Sequence, residues 1–262
     1  MNPIYRALFK HLVLSAVRAH RKAGRPALAG YAFDHITLKM HIDGRFADRE
    51  LSSLEQLLFP QLAPAGVCLD IGANIGNHAV SFADHFDHVH AFEPNKKALD
   101  LLHINARLKP NITVHGVGLS DRAQTLDVVQ PMYNLGGTGE NADSPDGLDN
   151  HVNLDLITLD SVDMDLSGKP ITFVKIDVEG HEAEVIRGAS DTLAKYRPVI
   201  GMEVDRRSVD DGSSPALEAA NALGYAHMYA MQRGPLLRFR EVSKAAARNH
   251  PLLLLSMDPL TF

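Results

Sequence analysis

From residue 67 onward, short uninterrupted apolar runs alternate with helical spacing: a strand at 67–71 (VCLDI), a helix to about residue 86, a strand at 89–93 (VHAFE), a helix over 96–108 and a strand over 112–120. Repeated strand–helix–strand units of this kind close as a parallel sheet with right-handed crossovers. Strands that are apolar along their whole length belong at sheet centres covered on both faces. After a polar, Gly-rich stretch at 130–150 the alternation resumes. Strands are predicted near 157–161, 172–178, 198–205 and 225–231, helices over 181–196 and 216–223, and a closing strand pair at 236–239 and 252–257. The chain is therefore read as α/β.

The first 60 residues read differently, as an N-terminal helix and strand extension ahead of one Rossmann-like domain at 61–262. Ile4, Leu8 and Leu12 with Tyr5, Phe9, Val13 and Val17 predict a helix over about 3–23 with a broad apolar stripe. Ile36, Leu38, Met40 and Ile42 alternate with polar residues, which predicts a half-buried strand ending in a hairpin-like Asp43-Gly44. Helical spacing returns at 49–59 and stops at Pro60.

Charge divides the same way. The net charge is −6, yet residues 1–33 hold Arg6, Lys10, Arg18, Arg21, Lys22 and Arg25 and no acid, which leaves −12 on the remainder. An acidic body argues against a nucleic-acid partner. The basic head is amphipathic: it either packs on the domain or a second subunit, or makes peripheral contact with anionic membrane through residues 1–24. Its apolar run is too short to span a bilayer, which needs roughly 20 residues, and too short for a secretory signal. A single cysteine, Cys68, forbids an intrachain disulfide and fits a reducing, cytoplasmic setting.

Two motifs carry chemistry. The first, Asp70-Ile-Gly72-Ala-Asn74-Ile-Gly76-Asn77, sits where the first strand should turn into a helix, so its glycines allow a ligand close to the backbone. It reads GxNxG rather than the GxGxxG of dinucleotide sites, and so lacks the glycine that admits a pyrophosphate. Glu93 closes the second strand, where a carboxylate can take the hydroxyls of a ribose. The second motif, Lys175-Ile-Asp177-Val-Glu179-Gly180-His181-Glu182, lies at the C-terminal end of a predicted strand, the side on which open parallel sheets bind ligands. Helix capping by Glu179, Glu182 and Glu184 is its alternative reading.

With DIGANIGN, HAFEPN, GLSD, the stretch 134–138 (NLGGT), TLD and above all VKIDVEGHEAEVIRGA, the chain resembles the FkbM family of S-adenosylmethionine-dependent methyltransferases over roughly 46–205. That resemblance implies a class I methyltransferase fold, a seven-stranded, mostly parallel sheet whose last strand is antiparallel. It also implies methyl transfer to a hydroxyl of a sugar, glycan or other secondary metabolite. The 72–76 loop, with Asn74 and the following Asn77, would then hold the amino-acid part of the cofactor, with Asp70 near its ammonium. Glu93 would take the ribose, and Asp121 the adenine amino group unless it merely forms a turn. Phe92 and Leu119 would flank the ring, or serve as core. Asp177 would face the transferable methyl.

For the general base, His181 and Asp177 are the candidates, with Glu179 and Glu203 behind them; His181 has the intrinsic pKa better suited to neutral pH. Asn134 and Thr138, with Tyr133, are expected to contact acceptor or cofactor, and Glu203 the acceptor. Metal sites are not favoured. His85, His88 and His90 have ligand-like spacing but no cysteine partner, and Asp177 with Glu203 is the pair that could hold Mg²⁺ or Ca²⁺. A nicotinamide-dinucleotide oxidoreductase and a non-catalytic nucleoside-binding scaffold are the competing readings, and a homo-oligomer is compatible with all three.

Overall fold

The computed structural model describes residues 2–32, 34–62, 66–130, 150–203, 214–232, 237–243 and 252–262. Val67–Ile71 (β1) is buried at every position and pairs in parallel on both sides, with His88–Phe92 (β2) and Ile171–Ile176 (β7). Only an interior position of that kind satisfies both the backbone and the two apolar faces of such a run. Outward from β1, Ile112–His115 (β3) lies beyond β2. On the other side Val199–Glu203 (β8), Leu252–Ser256 (β11), His227–Met231 (β9) and Phe239–Glu241 (β10) follow β7. β11 runs antiparallel to both β8 and β9. This is the Rossmann-like, mostly parallel sheet that the family resemblance implies, with its last strand reversed. Among the described residues it has eight strands rather than seven, because β10 folds back antiparallel on β9.

The helices on this sheet are Asn77–Phe82 (α4), Lys96–Ala106 (α5), Glu182–Arg187 (α6), Ser190–Tyr196 (α7) and Pro215–Ala222 (α8). Three predicted elements come out divided. The strand expected over 112–120 leaves the main sheet after His115. Its end, Gly118–Leu119 (β4), joins a separate three-stranded sheet with Asn150–Ile157 (β6) and Gln124–Gln130 (β5). The strand expected at 157–161 is the end of β6 followed by a 3₁₀ turn at Leu159–Ser161. The helix expected over 181–196 is split into α6 and α7. Asp160 of the turn accepts from the N–H groups of Asp191 and Thr192, which starts a new helix there. Gly188, at the break, lies so close to the Ser120 carbonyl that a Cβ would collide with it.

The N-terminal region holds Pro3–Lys22 (α1), His35–Asp43 (α2) and Asp48–Ser53 (α3), the last continuing through a π turn at Leu54–Leu58 and a 3₁₀ turn at Phe59–Gln61. The strand expected over 36–42 is instead the helix α2, and Asp43-Gly44 is its C-terminal stop. Asp34 accepts from the N–H groups of Ile36 and Thr37 at 2.9 and 3.2 Å. Gly44, at φ +87°, returns its N–H to Met40. These caps outweigh the period-2 pattern, which marks no buried face: Leu38 and Ile42 are exposed, and Thr37 is the buried residue of the helix.

Leu51, Leu54, Leu58 and Phe59 share one cluster with Cys68, Phe82, Phe86 and Phe173 of the sheet and its helices. Residues from Leu51 onward therefore pack in one core with the sheet. Arg45 fastens this junction. Its buried guanidinium grips both oxygens of Glu55 at 2.5 and 2.9 Å, Asp48 at 2.8 Å and the hydroxyls of Ser52 and Ser81. Burial alone would raise the pKa of Glu55, but hydrogen bonds from His85, Arg45 and Ser81 hold it down to about 2. Arg45→Met leaves that carboxylate without its guanidinium, and should cost about 3 kcal/mol of stability in denaturant titrations at pH 7.

Candidate functional site

The loop after β1 is shaped by three left-handed residues, Gly72 at φ +81°, Asn74 at +50° and Gly76 at +89°. Gly72 is required by contact as well as by conformation. A Cβ there would run into the carbonyl of Asp177, so the ends of β1 and β7 meet backbone against backbone. The N–H groups of Gly72 and Ala73 both bond to the Phe92 carbonyl. Asn74 N–H donates to Glu93 Oε2, and Asn95 N–H to Oε1, each at 2.8 Å. Glu93 thus spans the two loops beside the sheet. Burial pushes its carboxyl up to about 7, against the pull of those N–H groups and with the help of the nearby Asp70 and Asp177.

Asp70 is completely buried, and neither of its oxygens has a hydrogen bond of normal geometry. Burial raises its pKa to about 6. The Lys175 ammonium pulls it down and Asp177 pushes it up, while the Ala79 N–H, too poorly placed for a full hydrogen bond, adds a small opposing pull. Asn74 Oδ1 and Asn95 Nδ2 are likewise buried and unpaired. Native interiors keep few such atoms. Around the glycine loop and Glu93 they are buried polar atoms without partners, and the Asp70 oxygens are a carboxylate suited to a cationic group. Asn77 is not among them: its amide donates to and accepts from the Phe46 backbone, both at 3.0 Å.

One strand over, the β7 end carries Lys175, whose buried ammonium donates to Asp177 Oδ2 at 2.8 Å. Burial alone would lower its pKa, but Asp177, Asp70 and Glu203 raise it, so it is a fixed cation. Glu203, at the end of β8, is pushed up to about 8 by burial and then by Asp177, against Lys175, with Glu50 and Glu179 adding to the rise. Glu50, on α3, is raised by burial, with Lys175 and Asp177 in its field. It belongs to this acidic group, yet nothing in its helical sequence context marks it out. Glu179 is held at φ +54°, a left-handed conformation unusual for a long side chain, just before Gly180 at +104°. Glu182 is bound to the Gly180 N–H at 2.9 Å, in keeping with the capping alternative for that residue.

His181 faces elsewhere. Its Nε2 is 2.9 Å from Ser120 Oγ, which ties the ring to the end of β4, and its Nδ1 lies 3.7 Å from the Glu184 carboxylate on α6. Asp121 sits in the turn after β4, near Ser120 Oγ and Arg122. Phe92 is buried and stacked on His115 at 4.4 Å between centroids, and Leu119 is core. Tyr133, Asn134 and Thr138 lie outside the described residues. His85 is beside Glu55, His88 on Thr113 and His90 on His115. Among the described residues, no three His, Cys, Asp or Glu side chains are grouped to hold a metal.

A glycine loop at the β1 end, a carboxylate at the β2 end and a hydrogen-bonded Lys–Asp pair at the β7 end lie where the family resemblance places the site. Residues 70–228, more than half of the chain, match the methyltransferase FkbM domain, and the chain belongs to that family. Among proteins of known role it is similar to the hexuronic acid methyltransferase AglP of Haloferax volcanii, 31% identical over 149 residues, which cover 55% of this chain and 59% of that protein. A segment covering 56% of the chain is 30% identical to 9% of the AMB antimetabolite synthetase AmbE of Pseudomonas aeruginosa. The chain thus spans less than two thirds of either relative. Among solved structures, the methyltransferase FkbM from Methylobacillus flagellatus KT is 18% identical with a TM-score of 0.48, over 93% of this chain and 59% of that one.

Proposed function

We propose that this methyltransferase uses S-adenosylmethionine and methylates a hydroxyl of a sugar, glycan or related small metabolite. The observation that carries the cofactor is Asp70: a fully buried carboxylate with two unpaired oxygens beside a left-handed glycine loop is unfavourable in the free protein and is satisfied by an ammonium group. When bound, S-adenosylmethionine would supply a sulfonium-activated methyl group whose carbon an acceptor oxygen attacks in line, with the neutral thioether of S-adenosylhomocysteine as the leaving group. Asp70 and Asn74 hold the amino-acid portion, and Glu93, already fixed by two N–H groups, accepts from the ribose hydroxyls. Lys175 pins one oxygen of Asp177 and leaves the other to orient the acceptor hydroxyl. Glu203 would accept the proton that the acceptor hydroxyl gives up.

The assignment of the proton to Glu203 rests on placement. Glu203 ends the strand next to β7, whereas the Nε2 of His181 is turned to Ser120 Oγ. The sugar class is supported by the similarity to a hexuronic acid methyltransferase. Calorimetry with S-adenosylhomocysteine and with NAD tests the cofactor. Saturable binding of the former and none of the latter is expected; the reverse result would return the chain to the oxidoreductase reading.

A further inference from the structure

The helix α1 takes no part in the site. It lies on α2, with Val13, Ala16 and His20 half-buried and His20 Nε2 at 3.2 Å from the His41 carbonyl, and it buries no residue completely. Ile4, Tyr5, Leu8, Phe9 and Leu12 are between 54 and 75% exposed. At 100° per residue these five fall on one face, while Arg6, Lys10 and Arg18 follow one another at i, i+4 and i+12 along the opposite face. No acid occurs anywhere in the first 33 residues. A contiguous apolar surface of this kind on a soluble domain marks a contact site.

We infer that α1 is a membrane-surface helix that lies in the interface of a bilayer rich in anionic lipid, with Ile4, Tyr5, Leu8, Phe9 and Leu12 among the acyl chains and its arginines and lysines at the headgroups. Charge selects this occupant. Pairing with α1 of a second copy would cover the apolar face but give Arg6, Lys10 and Arg18, on the opposite face, no anionic complement. Docking on the acidic body of a second copy would satisfy the cations but not the apolar face. Among the described residues, the large exposed apolar side chains outside α1 and α2 are Tyr31, Ile104, Leu108 and Phe262, too few to cover it. An anionic lipid surface offers both complements at once. The helix lies on the surface rather than crossing it: among the described residues no helix is long and apolar enough to span a bilayer.

The test is co-sedimentation of the full chain with phosphatidylcholine vesicles and with vesicles of phosphatidylcholine and phosphatidylglycerol, with light scattering of the free protein. Binding to the mixed vesicles alone is expected, weakened by salt. Replacing Arg6, Lys10 and Arg18 by Gln should weaken it on the order of a hundred-fold, at roughly five-fold per cation. Leu8→Ser with Phe9→Ser should weaken it by at least about ten-fold. Both variants must retain the circular dichroism spectrum and melting temperature of the parent, since α1 contributes nothing to the core. Equal sedimentation with both vesicle types, or none with either, overturns the inference. So does a dimer that the Leu8/Phe9 variant converts to monomer, which would hand the helix to a second copy.

Discussion

Replacing Glu203 by Gln is expected to slow methyl transfer by roughly 10² to 10⁴, the usual contribution of a positioned general base, with little change in affinity for S-adenosylhomocysteine. Burial and the negative charge of Asp177 hold the Glu203 carboxyl near 8, so it carries a proton at neutral pH and becomes a competent base as the pH rises. Turnover of the parent enzyme should climb through about pH 8, and that limb should vanish in Glu203→Gln. Glu50→Gln removes one of the charges that push Glu203 upward, so it should move the limb to lower pH. His181→Gln should leave it in place. Loss of the limb in the His181 variant, with retention in the Glu203 variant, would transfer the base role to the histidine.

Asp70→Asn should act in opposite directions on the free and the liganded protein. Affinity for the cofactor should fall by roughly 30- to 3,000-fold, the range for removing one member of a buried charge pair. The free protein should gain about 1 to 3 kcal/mol at pH 8. The sign follows from the raised pKa. An acid that titrates near 6 when folded and near 3.9 when unfolded binds protons more readily in the native state, so stability is lost as pH rises from about 4 to 6. Glu93 and Glu203 act in the same sense up to about 7 and 8. His90, held down to about 4 by burial and the neighbouring His115 and His88, acts oppositely below about 6.5. Thermal melts of the free parent should therefore be highest in mildly acidic buffer. The decline toward pH 8 should be shallower in Asp70→Asn and should flatten when S-adenosylhomocysteine is added to the parent. A parent whose stability rises steadily from pH 5 to 8 would contradict the placement of these carboxyls.

Much of this arrangement is visible in the chain itself, because strand ends are written locally. A buried strand such as Val67–Ile71 can have only apolar neighbours, so the Asp that ends it, and the glycines after it, stand out. The same holds for Glu93 after β2 and for Lys175 and Asp177 at the end of β7. Contacts are not written locally where a residue's partner is remote in sequence. Asn77 looks like the close of the glycine loop but is taken by the Phe46 backbone. His181 has the intrinsic pKa of a base but meets Ser120, 61 residues away. Glu50 is an ordinary helix acid until α3 is packed beside β7. The alternation at 36–42 loses to two caps, Asp34 and Gly44, each of which forms within a single turn.

The insertion of β11 between β8 and β9 also sets a timetable for the nascent chain. β1, β2, β3, β7 and β8 can pair as soon as residue 203 has left the ribosome, whereas β9 and β10 have no strand to join on that sheet until residues 252–256 emerge. The apolar edge of β8 waits unpaired through some fifty residues of synthesis, and that of β9 through about twenty. That interval is when the chain is most exposed to edge-to-edge association with its neighbours.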